Sequence, residues 1–101
     1  MKLARIAAVS SFSSDKANKV PLAEGTHSRV TLWCLEDGQE IHPHTHAGDH
    51  VWVVEEGAGW FLGAEGQVVP VEPGTVLFAP AGEPHGMRAG SRLVFVSISA
   101  G

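Results

Sequence analysis

The sequence is short of cysteine, of basic residues and of long apolar runs, and each shortage removes a class of protein. Cys34 is the only cysteine, so no disulfide can form within the chain. Flanked by Leu32, Trp33 and Leu35, it reads as core filling rather than as a nucleophile. Lys and Arg number 7 against 11 Asp and Glu, for a formal net charge of -4. The basic residues are scattered, and without a basic face there is nothing to neutralise phosphates, so nucleic acid is excluded as a partner. No apolar run approaches the ~20 residues that a helical bilayer crossing needs, which excludes the membrane in the same way. The opening residues are interrupted by Arg5 and read as a strand rather than a signal-peptide core, so the expected location is the cytoplasm. No repeat, linker or low-complexity segment divides the chain. Its 101 residues are enough to enclose one hydrophobic core, and residues 1–101 are read as one domain.

What the chain does have is regular punctuation. Pro21, Gly25, Gly38, Pro43, Gly48, Gly57, Gly63, Gly66, Pro73, Pro80, Gly82 and Gly90 break it into short segments rich in β-branched and aromatic residues. None is long enough or helically periodic enough for a helix, apart from a short turn near Ser14 to Asn18. The expectation is an all-β sandwich or barrel with strands at 3–9, 28–36, 40–46, 50–56, 58–64, 67–71, 75–79, 84–88 and 92–99.

Six residues are histidines, and their spacing is informative. His44 and His46 stand two apart, so on a strand both leave the same face, with Cα atoms ~6.5–7 Å apart. His50 follows the tight Ala47-Gly48-Asp49 connection, which can reverse the chain and set it beside the pair. His85 follows the rigid Pro80-Ala81-Gly82-Glu83-Pro84 turn, which would start an incoming strand at a defined place. Taken singly, each is also what an exposed turn carries.

Two longer patterns decide the weighing. The stretch from Gly38 to Gly57 resembles the first cupin motif: glycine, five residues, His-x-His, three or four residues (three here), a position usually glutamate, six residues, glycine. The stretch from Gly74 to His85 resembles the second: glycine, five residues, Pro-x-Gly, two residues, histidine. This resemblance implies a double-stranded β-helix, or jelly-roll barrel, in which His44, His46, His50 and His85 hold one divalent transition metal (Fe, Mn, Ni, Cu, Zn or Co). There are two departures: His50 stands where glutamate is usual, and Ala89 where the second motif usually ends in asparagine. Four neutral imidazoles would leave the full divalent charge uncompensated, favouring anionic or enolate ligands, and would remove a carboxylate able to act as base. Some small cupins have four histidines in this way.

By alternation, Trp52 and Val54 continue the face of His50, Met87 that of His85 and His42 that of His44, so His42, Trp52 and Met87 are candidate walls of an apolar pocket. The competing readings are core packing for Trp52 and Met87, and a solvent-facing strand end for His42. His27 reads as a solvent-facing turn residue, and Glu83 is a candidate acid or base only by its nearness to His85. The resemblance implies a metal-dependent enzyme, such as a dioxygenase acting on a small enolisable or phenolic compound. The alternatives are isomerase or lyase chemistry and a non-catalytic barrel that binds or senses a small molecule or metal. It also implies a homodimer, with Leu3 to Val9 added as a strand to the partner's sheet.

Overall fold

The computed structural model describes Met1–Gly101 and shows the expected all-β double-stranded β-helix: nine strands in two antiparallel sheets. The strands are β1 (Asn18–Glu24), β2 (Ser28–Leu35), β3 (Glu40–His44), β4 (Asp49–Glu56), β5 (Gly59–Leu62), β6 (Val68–Val71), β7 (Val76–Ala79), β8 (His85–Ala89) and β9 (Leu93–Ala100). One sheet has the order β1-β2-β9-β4-β7 and the other β3-β8-β5-β6. The inner faces bury Trp52 and Val54 from the first sheet against Val71, Met87 and Ala89 from the second, with Leu35, Leu93 and Phe95 completing the core. Each fully buried side chain of this size contributes about 1.5–3 kcal/mol.

β2 does not alternate. Leu32, Cys34 and Leu35 are all fully buried, because its outer face is covered as well. Leu32, Cys34 and Val94 form a second cluster on the outside of the five-stranded sheet, overlaid by Ile6, Val9 and Phe12. Cys34 is thus the core filler its neighbours predicted.

The N-terminal segment departs from expectation. Residues 3–9 are not a strand; Ile6–Val9 form a single helical turn (α1). Ile6, Val9 and Phe12 recur every third residue, a helical rather than an alternating spacing, and Ala7 and Ala8 favour helix between them. The turn is closed by the Ser10 amide and hydroxyl, both donating to the Ile6 carbonyl. In the single chain this segment packs on its own sheet.

A strand was also hidden by a proline. Pro21 reads as a breaker, yet it lies within β1, with a register shift between Pro21 and Ala23. β1 is a sheet edge, where a residue without an N–H is tolerated. Pro43 in β3 and Pro70 in β6 also lie on edge strands.

Candidate metal centre

The local folding of β3 sets the site. β3 pairs with β8 so that Ile41 faces Met87 and His44 faces His85, with an irregularity between. Two positions with core-facing or site-facing side chains are therefore three residues apart instead of two, and His42 is turned outward. β8 approaches closely enough to allow this only because residue 86 is glycine. A Cβ there would lie 2.5 Å from the Ile41 carbonyl oxygen and 2.7 Å from the Pro43 nitrogen. The two histidine-bearing turns are then stapled together. The Gly82 amide donates to the His46 carbonyl at 2.8 Å, and the Ala81 amide to Asp49 Oδ1 at 2.9 Å. Gly82 has φ 81°, a left-handed conformation that glycine adopts without strain.

The four histidines of the motifs converge at one end of the sandwich. His44 and His85 belong to the four-stranded sheet, His50 to the five-stranded sheet, and His46 to the connection between β3 and β4. Ring centroids lie 4.6 Å apart for His44 and His46, 4.7 Å for His44 and His85, 4.4 Å for His46 and His50, and 4.7 Å for His50 and His85. The tight set is nevertheless three and not four. One nitrogen from each of His44, His46 and His85 lies within 4.8 Å of the others, while His50 joins through ring contact. Opposite ligands ~2.1 Å from a shared ion stand about 4.2 Å apart, so this trio has the scale of a coordination sphere.

Two of the rings are aimed by backbone carbonyls. His44 Nδ1–H donates to the His42 carbonyl and His85 Nδ1–H to the Glu83 carbonyl, each at 2.9 Å. A carbonyl only accepts, so in both rings the proton sits on Nδ1 and the lone pair on Nε2. These orienting partners come from main chain two residues earlier, and residue type gave no sign of them. His85 Nε2 and His50 Nδ1 are buried and have no hydrogen-bond partner within the chain. Buried polar nitrogens without partners are costly, and a pair beside other imidazoles fits a ligand position.

His46, His50 and His85 are each biased toward the neutral form. Burial, followed by the positive charge that His46, His85 and His44 would carry, lowers the His50 pKa to about 4. His46 is lowered by burial first and then by His44, His85 and Lys19. Burial lowers His85 too, opposed by its bond to the Glu83 carbonyl. Neutral rings present lone pairs at neutral pH, and this donor set fits a divalent transition ion.

Beside the rings lies a recess of about 210 Å³ lined by Lys19, Arg29, Thr31, Trp33, Trp52, Ser97 and Ser99 together with His44, His46 and His50. Trp52 lies under the cluster, 5.2 Å from the His85 ring, with its indole N–H donating to Ser97 Oγ at 3.1 Å. The other expected wall residues lie elsewhere. Met87 is fully buried in the core between the sheets. The His42 side chain is 87% exposed and pairs with Glu40 at 2.9 Å, because the β3 irregularity breaks the alternation that placed it beside His44. Glu83 is exposed, and its contribution is its carbonyl. The recess keeps an aromatic wall, Trp33 and Trp52, and adds two cations, Lys19 and Arg29, that were not expected. Lys19 was missed because β1 was missed; Arg29, two and four residues before Thr31 and Trp33 on β2, was recoverable by alternation.

The comparisons agree with this architecture. No curated protein matches the chain. Among solved structures, an RmlC-like cupin protein from Desulfovibrio desulfuricans superposes with a TM-score of 0.93 at 29% identity, covering 99% of this chain and 96% of that one. The protein TT1209 from Thermus thermophilus gives 0.91 at 27% identity, with 99% and 97% covered. An uncharacterized conserved protein with a double-stranded β-helix domain from Klebsiella pneumoniae gives 0.93 at 25%, with 99% and 90% covered. The model of the cupin domain family matches residues 31–99, from the inner face of β2 through β9, and the chain therefore belongs to the cupin family.

Proposed function

We propose that this small cupin is a metal-dependent enzyme in which His44, His46, His50 and His85 hold one divalent transition metal, with the 210 Å³ recess receiving a small oxygen-bearing substrate. The observation that carries this reading is the pair of buried, unpartnered nitrogens, His50 Nδ1 and His85 Nε2, within a cluster of imidazoles. A metal bound there supplies Lewis acidity to a substrate oxygen and, if redox-active, a route for dioxygen. The chain's own residues do the rest. The His42 and Glu83 carbonyls fix two rings, Trp52 closes the floor against water, and the hydroxyls and cations of β1, β2 and β9 orient the substrate. The favoured reaction is dioxygen-dependent oxidation or cleavage of an enolisable or phenolic compound.

A second reading is favoured by one observation: no carboxylate lines the recess, so no side-chain base other than histidine stands ready. In that reading the barrel binds a small molecule without turning it over. The experiment that separates them starts from protein purified without a histidine tag. Its metal is identified and counted, then stripped, and iron, manganese, nickel, copper, cobalt and zinc are restored in turn. Oxygen uptake is followed with diketones and catechols. About one equivalent of metal, lost in the His85→Ala variant, supports the metal centre, and metal-dependent oxygen uptake supports the enzyme. Metal binding with inertness throughout favours the binder, and no stoichiometric metal at all defeats the metal-dependent enzyme.

A further inference from the structure

In an acidic chain the recess beside the histidines carries two cations, Lys19 and Arg29, and no carboxylate. Strand register explains how they come together. Arg29, Ser99 and His50 form one row across β2, β9 and β4; Thr31, Ser97 and Trp52 form the next; Lys19 and Trp33 pair across β1 and β2. All of these face the recess. Lys19 Nζ stands over the Trp33 ring, 5.6 Å from its centroid, and has no carboxylate within salt-bridge distance. Arg29 engages Glu24 through a single nitrogen, at 3.1 Å, which leaves its other donors free. Ser97 Oγ already accepts from the Trp52 indole, so its own proton is available to donate. The inner lining therefore offers ammonium, guanidinium and hydroxyl donors and no carboxylate acceptor.

A lining of donors matches a group made only of acceptors. We propose that the ligand of this recess is a small organic anion whose carboxylate is held by Lys19 and Arg29, with its second, carbonyl or hydroxyl oxygen directed at the histidine cluster. This rests on the reading that the recess is the substrate site, and it adds the class of substrate and the residues that select it. A volume of about 210 Å³ suits a molecule of a few carbons. Lys19 and Arg29 act as specificity-determining residues; neither is placed to take part in bond making.

Acetoacetate and acetylacetone form a matched pair: both are enolisable dicarbonyl compounds of similar size, and only the first carries a carboxylate. The zinc-loaded protein is titrated with each and followed by tryptophan fluorescence, since Trp33 and Trp52 both line the recess. Acetoacetate is expected to bind about tenfold more tightly, the effect of one charge-assisted hydrogen bond. Lys19→Met should cut that preference severalfold, with Arg29 holding what remains, and Lys19→Arg should keep it. Lys19 is exposed on an edge strand, so neither change threatens folding, and zinc stoichiometry is measured on both variants. No discrimination in the wild type, whether both compounds bind or neither does, overturns the proposal, as does full preference in Lys19→Met. Those results with zinc still bound leave the metal reading standing. A Lys19-dependent preference in protein that takes up no metal supports the anion site and defeats the metal reading instead.

Discussion

Replacing His50 with leucine should make the metal-free protein more stable and the metal-loaded protein less stable, so that the two proteins exchange rank when metal is added. His50 Nδ1 is buried and unpartnered, and a buried polar group in that state costs about 1–3 kcal/mol. Leucine removes the orphan and places apolar surface above Trp52. In EDTA at pH 7.5 the His50→Leu variant should therefore gain about 1 kcal/mol or more, or roughly 4–8 °C per kcal/mol for a domain of this size. Zinc at a thousand times its dissociation constant stabilises the wild type by about 4 kcal/mol, a gain the variant forfeits in large part. Urea unfolding followed by tryptophan fluorescence, with EDTA and with zinc, gives both numbers. A variant less stable than wild type in EDTA would show that the buried nitrogen carries no penalty. A variant that gains as much from zinc as the wild type would remove His50 from the donor set.

Three further outcomes are expected. The metal-free wild type should lose stability as the pH falls from 6.5 toward 4. The His50 pKa is about 4 when folded, so the unfolded chain takes up its proton first; His46 and His85 are shifted the same way. Urea midpoints between pH 7 and 4.5, above the carboxylate range, test this, and a flat profile would refute it. Gly86→Ala should destabilise the fold by about 1–3 kcal/mol by pushing β3 from β8, and should weaken zinc binding through the His44 to His85 register; an unchanged melting temperature would refute the close approach. Phe78→Ser should change stability by no more than about 0.5 kcal/mol, because Phe78 is 61% exposed. A larger loss, or a drop in sedimentation coefficient, would mean that a second copy covers this face.

The sequence carried the parts of the site that depend on spacing between turns. His44, His46 and His85 come together because glycines and prolines fix where their segments begin, and those residues are visible in one dimension. His50 was placed correctly in the neighbourhood, yet its stacking on His46 outside the tight trio is a matter of ring position that spacing does not encode. Alternation worked along β4, where Trp52 lies on the same face as His50, and failed along β3, where one irregularity turned His42 to solvent. Nothing in Ile41-His42-Pro43 announces that irregularity except the proline. Met87 is on the expected face, but that face changes from site to core within two residues. Lys19 was illegible for a different reason. A proline masked the strand that carries Lys19, and whether proline ends a strand or sits within one depends on whether the strand has a neighbour on its other side. That is a property of the whole sheet. The N-terminal turn was misread because a threefold spacing confined to seven residues is too brief to separate from a strand.

The prolines on β1, β3 and β6 also bear on the company the protein keeps. Two sheets have four outer borders, and on three of them the row of donors that another chain would need for backbone pairing is interrupted by a residue that has none. The fourth border is β7, a run of four residues without proline that carries Val76 and Phe78, 63% and 61% exposed. Strand-by-strand polymerisation is thereby obstructed on most of the perimeter, and the unguarded stretch is short and lies at the margin of the five-stranded sheet.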